Sequence, residues 1–219
     1  AGLVRVAVKE SVMLSQREHQ EKRQKLIDST IQLVAERGIG DISTKNIGLV
    51  SGINEAYSYR YFESKEDLLV KAFSYVDNGF LGMILENHPI LQYESVEYEE
   101  RCRLLFNACW RFIRSHPRKL VFYVRYYYSA FFEKYSAQEH ERRYAVLMEK
   151  MQPAFPDSVS VSMLLHYILD NLLGMAVKHL NDPEEKAEET AEACFRLIFA
   201  VVRACIKEEK IHKPEGEKA

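Results

Sequence analysis

Glycine and proline are scarce in this 219-residue chain, with nine and six residues respectively. That leaves little material for the tight turns of a β-rich fold and favours helices joined by short breaks. Cysteine is equally sparse. Cys102, Cys109, Cys194 and Cys205 stand singly, with no Cys-x-x-Cys pair or Cys/His cluster, which argues against a zinc site. Cys102 and Cys109 lie two helical turns apart, too far to bridge each other. All four are expected to be small core residues in a reducing compartment. No uninterrupted apolar run reaches the ~18 residues of a membrane span. Ala1 to Val8 carries Arg5 and lacks the apolar core of a signal peptide. A cytoplasmic location and no membrane partner are therefore expected. Strong charge of one sign is missing as well. The net charge is −2, with ten Lys/Arg against eight Asp/Glu over residues 1–65 and twenty against twenty-four over 66–219. The basic bias of the N-terminal part is small. Enzyme signatures are also lacking: there is no phosphate-binding Gly-x-x-x-x-Gly-Lys, no His-Glu-x-x-His and no Gly-x-Ser-x-Gly. A di-iron site in a helical bundle needs two Glu-x-x-His pairs, and only Glu209-x-x-His212 has that spacing. No catalytic residue, cofactor or metal is expected.

What the chain does have is helical periodicity and one dense local signal. Thr44 or Ser43 can cap a short helix, because a side-chain oxygen there accepts an orphan N–H of the first turn. Gly48 permits close approach of a second helix. Gly52 falls where the first helix must stop, and a residue without Cβ tolerates the left-handed conformation of such a stop. Ile53 reads as a buried hinge, Asn54 caps the next helix, and Glu55 to Tyr61 form that helix. The pattern predicts a helix–turn–helix whose second helix would enter a DNA major groove.

The continuation narrows the reading. Upstream, Ile27 to Gly38 is amphipathic and ends in Glu36-Arg37-Gly38. Downstream come Tyr59, Tyr61, Phe62, then Ser64-Lys65-Glu66 and Leu68-Leu69. Over residues 23–70 this run resembles the DNA-binding domain of the TetR family of bacterial repressors. Beyond it only length and helical pattern agree. The resemblance implies that Thr44, Tyr59, Tyr61 and Lys65 touch phosphates, and that Lys45, Glu55, Ala56, Tyr57 and Arg60 reach base edges or the adjoining backbone. Such chemistry is reasonable on its own terms: Lys and Arg donate to guanine acceptors, Tyr hydroxyls reach phosphates, and Ala can meet a thymine methyl. The bland alternative is that the tyrosines are half-buried packing residues. Two departures from the family pattern stand out. Gly48 replaces the usual Ala, and Ser58 occupies a place where an apolar residue normally anchors the recognition helix.

The rest of the chain reads as a larger helical domain. Residues 1–22 are expected to be a flexible arm, 23–70 the DNA-binding domain, 71–210 the second domain and 211–219 a charged tail. Ser64 with Asp67 gives a capping-box start to a helix that runs to about Glu86. Further helices are expected over about 97–115, 118–135, 137–151 and 158–180. A last one follows Asp182, with Asp182 as cap and Pro183 in the first position. The polar stripe Arg103, Asn107, Arg111 and Arg114 is expected to face solvent. The 158–180 helix is apolar on two sides and must be covered on both, one by its own domain and the other by a second copy of the chain. Polar-tipped groups on apolar surfaces, Trp110, Tyr123, Tyr127, His166 and Asp170, are either core or the lining of an effector pocket.

The fold class is thus all-α: an N-terminal three-helix helix–turn–helix domain followed by a larger helical ligand-binding and dimerisation domain. The resemblance implies a regulator, a repressor by the family's habit, that binds a double-stranded, palindromic DNA operator as a homodimer and is released by a small-molecule effector. The alternative is a helical interaction or adaptor protein whose helix–turn–helix no longer reads DNA.

Overall fold

Most breaks between the helices trace to a capping side chain, a glycine or a proline. The computed structural model describes residues 2–211, with side chains described over 15–208 and at Lys210. No β-strand occurs among the described residues. Of the tail expected over 211–219, residues 212–219 lie outside them. The chain divides into two units, Ala1–Tyr75 and Val76–Ala219.

In the first unit, α1 spans Gly2–Arg37. It takes in most of the stretch expected to be an arm. That stretch contains no proline and, after Gly2, no glycine to interrupt a helix, and Arg17 pairs with Glu21 at 3.0 Å in i,i+4 register. From Leu26 onward an apolar stripe of Leu26, Ile27, Ile31, Leu33 and Val34 is buried. The buried Thr30 hydroxyl is satisfied by donating to the Leu26 carbonyl at 2.9 Å. Gly38, at φ 89, ends α1 and leads into a 3-10 turn over Ile39–Asp41. Helices α2 (Thr44–Ser51), α3 (Glu55–Ser58) and the start of α4 (Lys65–Asn87) complete the unit. Ile42, Ile47, Phe62, Leu68, Leu69 and Phe73 close its core against α1.

Helix α4 continues past Tyr75 into the second unit, and a 3-10 turn over His88–Gln92 follows it, with Pro89 in its first positions. By length and composition Lys65–Gln92 is long and apolar enough to cross a membrane, although charged residues interrupt every apolar run within it. Of its most apolar window 56% is buried inside the protein, as in a core helix.

The remaining helices are α5 (Tyr98–Arg114), α6 (Pro117–Tyr127), α7 (Ala130–Tyr135), α8 (Ala137–Met151), α9 (Val161–Lys178), α10 (Glu184–Cys205) and the short α11 (Glu208–Ile211). The 118–135 segment is two helices rather than one. Ser129 breaks it, taking an extended conformation and accepting from the Phe132 amide at 3.4 Å as the cap of α7. Asp182 does not cap α10. Its carboxylate is held by His179 at 2.8 Å and Lys186 at 3.4 Å, and Pro183 stands at the cap position. The His179 hydrogen bond, with Lys186 behind it, lowers the Asp182 pKa.

The arginine stripe of α5 is not a free solvent face. Arg103 pairs with Glu192 of α10 and with Glu99 at 3.0 Å, and Arg114 donates to the His179 carbonyl at 2.8 Å. Both side chains tie α5 to the α9–α10 corner. All four cysteines are free, and burial pushes the thiols of Cys102 and Cys194 up to about 11 and Cys109 up to about 12. Those three thiols are protonated packing groups, and Cys102 and Cys205 are half-buried rather than in the core.

Candidate functional site

In the first unit the turn between α2 and α3 is assembled from local hydrogen bonds. Ser43, in an extended conformation, accepts from the Asn46 amide at 3.1 Å and so is the cap of α2, rather than Thr44. Gly52 closes α2 in the left-handed region, at φ 67 and ψ 17, its N–H donating to the Gly48 carbonyl at 2.9 Å. A Cβ on Gly48 would lie 3.0 Å from the Ile53 carbonyl oxygen and 3.6 Å from the Glu55 amide nitrogen. The start of α3 therefore rests on bare backbone. Asn54 accepts from the Ala56 amide at 2.9 Å and opens α3. Ile53, expected to be buried, is half-buried.

α3 is shorter than the sequence pattern implied. Regular helix covers Glu55–Ser58, and residues 59–61 continue as a turn with Tyr61 donating to the Ser58 carbonyl at 3.0 Å. The chain must then enter α4 within a few residues. Ser64 caps that helix, accepting from the Asp67 amide at 3.0 Å, while the Asp67 carboxylate accepts from the Glu63 amide at 3.2 Å. These two bonds, a variant of the expected capping box in which Asp67 reaches the residue before the cap, fix where α4 begins. Ser58 is buried, its hydroxyl 3.5 Å from the Asn54 carbonyl. A small polar group bonded to its own helix stands where a larger apolar anchor was expected.

The proposed DNA-facing residues fall into two groups. Lys45, Glu55, Ala56, Tyr57, Tyr59 and Arg60 are exposed. Tyr57 and Arg60 act as a pair, with the guanidinium carbon 4.2 Å from the ring centroid. Thr44 is half-buried and its hydroxyl donates to the Glu55 carboxylate, tying the start of α2 to the start of α3. Tyr61 and Lys65 are half-buried. The Tyr61 ring packs on His19 of α1 at 4.6 Å, so for this tyrosine packing is part of its role. Lys65 lies 3.8 Å from Glu66, a loose surface pair.

Sequence reasoning missed the contribution of α1. The Lys22 amine stands 5.9 Å from the Tyr57 ring centroid, the Arg23 guanidinium 5.4 Å from that of Phe62, and the Lys25 amine 3.9 Å from where a Cβ on Gly52 would sit. The run Lys22-Arg23-x-Lys25 was the available signal. It lies at the edge of the expected arm, and only packing brings it beside α3.

In the second unit, helices α4, α5, α8, α9 and α10 enclose a cavity of about 490 Å³. None of Trp110, Tyr123, Tyr127, His166 and Asp170 lines it. Trp110 is core, stacked on Phe106. Tyr123 is buried and donates to Asp77 at 3.2 Å, bordering only a void of about 20 Å³. Tyr127 stacks on Tyr123, and burial raises its hydroxyl to about 12. His166 and Asp170, one turn apart, do not pair: the His166 ring bonds the Ser162 carbonyl at 2.8 Å, and the exposed Asp170 accepts from Tyr128 at 2.8 Å. Polar tips on apolar helices marked groups satisfied within the protein, while the cavity walls are mostly groups with no polar tip at all.

Comparison with known proteins agrees with this architecture. Residues 26–72 match the family model described as bacterial regulatory proteins, tetR family. A search of curated proteins finds no match. Among solved structures, a TetR family transcription regulator from Marinobacter aquaeolei VT8 aligns with a TM-score of 0.63 at 20% identity, covering 83% of this chain and 97% of the other. The fatty acid degradation regulator FadR from Bacillus halodurans aligns with a TM-score of 0.64 at 17% identity, covering 83% and 96%. The multidrug binding protein EbrR, complexed with imidazole, aligns with a TM-score of 0.55 at 17% identity, covering 81% and 89%. At such identities the structural likeness speaks for the fold. The sequence match shows the tetR-family N-terminal region over residues 26–72, and the structural likeness shows that the chain as a whole shares the all-helical fold of these solved regulators.

Proposed function

We propose that the protein is a cytoplasmic transcriptional regulator that binds a palindromic DNA operator as a two-fold homodimer and is released from it by a small molecule. The observation that carries this reading is the α2–turn–α3 geometry, with Lys45, Ala56, Tyr57 and Arg60 exposed around a turn fixed by Gly48 and Gly52. A guanidinium stacked on a tyrosine ring is a stiff donor, suited to guanine acceptors or a phosphate. Repression, rather than activation, is the usual work of the family.

Assembly is supported by the outward faces of α9 and α10. Met163, Tyr167 and Gly174 share one face of α9, with the exposed Asp170 between the last two, and Ala193, Leu197, Ala200 and Ala204 follow one another at helical spacing on α10. Met163 is 73% exposed and Leu197 69%. Apolar and small residues in two such stripes suit helix-on-helix packing against a second copy. Release by an effector is supported by the cavity, whose volume is within the ~300–1,000 Å³ of small-molecule sites. Helix α4 is common to both units and is the covalent route between ligand and DNA. An effector that shifts operator binding by ~3 kcal/mol would lower affinity a little over a hundredfold.

Selection from a random duplex pool tests the reading directly. Enrichment of an inverted repeat with half-sites one helical turn apart is expected. A pool that stays random, with no salt-dependent binding, would leave the adaptor reading in its place.

A further inference from the structure

The cavity of the second unit has an uneven chemistry. Its walls are mostly apolar, supplied by side chains such as Leu105, Phe106, Leu147, Leu165, Leu172 and Phe199. Against them stands one buried cation. Arg101, on the first turns of α5, lines the cavity and is only 9% exposed. Its Nη1 donates to the Leu91 carbonyl at 2.7 Å, and its guanidinium lies 5.1 Å from the Tyr98 ring centroid. Its Nε has no hydrogen-bond partner among the described residues, and no carboxylate among them forms an ion pair with it. A buried guanidinium with a donor unsatisfied is costly unless something completes it.

The other charged groups at the cavity limit what that something is. Lys150, Lys210, Glu94 and Glu97 line it from exposed positions. His88 is buried, and burial together with the Lys150 charge lowers its pKa, so at neutral pH it is an uncharged neighbour. One fixed positive charge among the buried lining groups, with two carboxylates nearby, suits a monoanion better than a phosphate dianion.

We infer that this cavity binds an apolar monocarboxylic acid, its carboxylate on the Arg101 guanidinium and its hydrocarbon body against the α5, α9 and α10 walls. A planar carboxylate accepts two parallel hydrogen bonds from a guanidinium edge, which a hydroxyl or amide head does not reproduce. The inference deepens the effector reading above and rests on it only for the consequence at DNA, because binding can be measured without DNA.

The test titrates the full chain with palmitate and with a fused-ring carboxylate such as 1-pyrenebutyrate, using hexadecanol as the uncharged control. Calorimetry or thermal shift is the readout. Palmitate or the ring acid is expected to bind, and whichever binds more tightly identifies the body as chain or ring. Hexadecanol is expected to bind about tenfold to a hundredfold more weakly than palmitate, the usual scale of a charge-assisted hydrogen bond. Arg101→Gln should remove that difference, and Ile168→Trp, which fills the cavity, should remove binding of either acid. Equal affinity of wild type for palmitate and hexadecanol would overturn the assignment, and this comparison needs no variant to fold. Failure of both acids to bind at millimolar concentration would overturn it as well. Operator binding is then measured with and without the bound acid. An acid that binds through Arg101 yet leaves operator affinity unchanged sinks the effector reading and keeps the site. Release of the operator by other compounds, with no acid bound, does the reverse.

Discussion

At Gly52 the backbone sits at φ 67 and ψ 17, a conformation that costs an ordinary L-residue roughly 1–2 kcal/mol. Gly52→Ala is therefore expected to lower stability by about 1 kcal/mol, read as a shift in urea midpoint at constant m. Its neighbour Gly48 acts differently. There the limit is space, because the Ile53 carbonyl oxygen occupies the place a larger side chain would take. Residue-scale behaviour at the DNA face divides by contact type. Lys65→Ala is expected to weaken binding to all sequences alike and to lower the salt slope by about one unit. Substituting Lys45 or Tyr57 is expected instead to change which bases are preferred. Parallel titrations of each variant at several salt concentrations, against the selected operator and a random duplex, separate the two behaviours. A Lys65→Ala protein with unchanged affinity and slope would remove the proposed docking.

Among the elements, α4 is held in the second unit by a buried charge. Asp77 is fully buried on α4. It accepts from Tyr123 of α6 at 3.2 Å, and on α8 it meets the His140 ring at 3.1 Å and Arg143 at 3.2 Å. Burial raises the pKa of the Tyr123 and Tyr144 hydroxyls well above the usual range, so both serve as neutral hydrogen-bonding groups. Removing one partner from such a cluster leaves the others buried without their counter-charge. Asp77→Ala is expected to cost ~3–5 kcal/mol in chemical denaturation. A loss under about 1 kcal/mol, the range of an exposed pair, would show that water reaches the cluster. The α9 and α10 stripes are the other feature that belongs to whole elements. Met163 and Leu197 are exposed on them, and their apolar and small residues have the composition of a packing face.

For the molecule as a whole, those stripes lead to the most consequential expectation. A two-fold dimer formed through them would set two α3 helices to meet successive major grooves, about 34–36 Å apart. Leu197→Glu places a charge in the centre of the α10 stripe. It is expected to turn a dimer at micromolar concentration into a monomer by light scattering, and to lower operator affinity by more than tenfold while leaving the monomer folded. A wild-type chain that is already monomeric under those conditions would exclude the arrangement.

The amino-acid sequence determined the all-helical class, several helix boundaries, and the turn around Gly52. Those depend on caps, breakers and 3.6-residue periodicity, which act between neighbours in the chain. The α4 start at Ser64 and the α8 span Ala137–Met151 were legible for that reason. The early start of α1 was not, because apolar and charged residues alternate over residues 1–22 without a clear helical stripe. Tertiary structure alone decided which face meets which. Arg103 reached Glu192, Arg114 the His179 carbonyl, and Asp77 both His140 and Arg143, across 89, 65, 63 and 66 residues of chain. Periodicity marks a residue as lying on an apolar or polar stripe but carries no information about the opposing surface. A cavity is a property of several such surfaces together. Hence the sequence indicated aromatic hydroxyls that the fold had already satisfied, and only the packed helices revealed the incomplete Arg101 guanidinium beside the cavity.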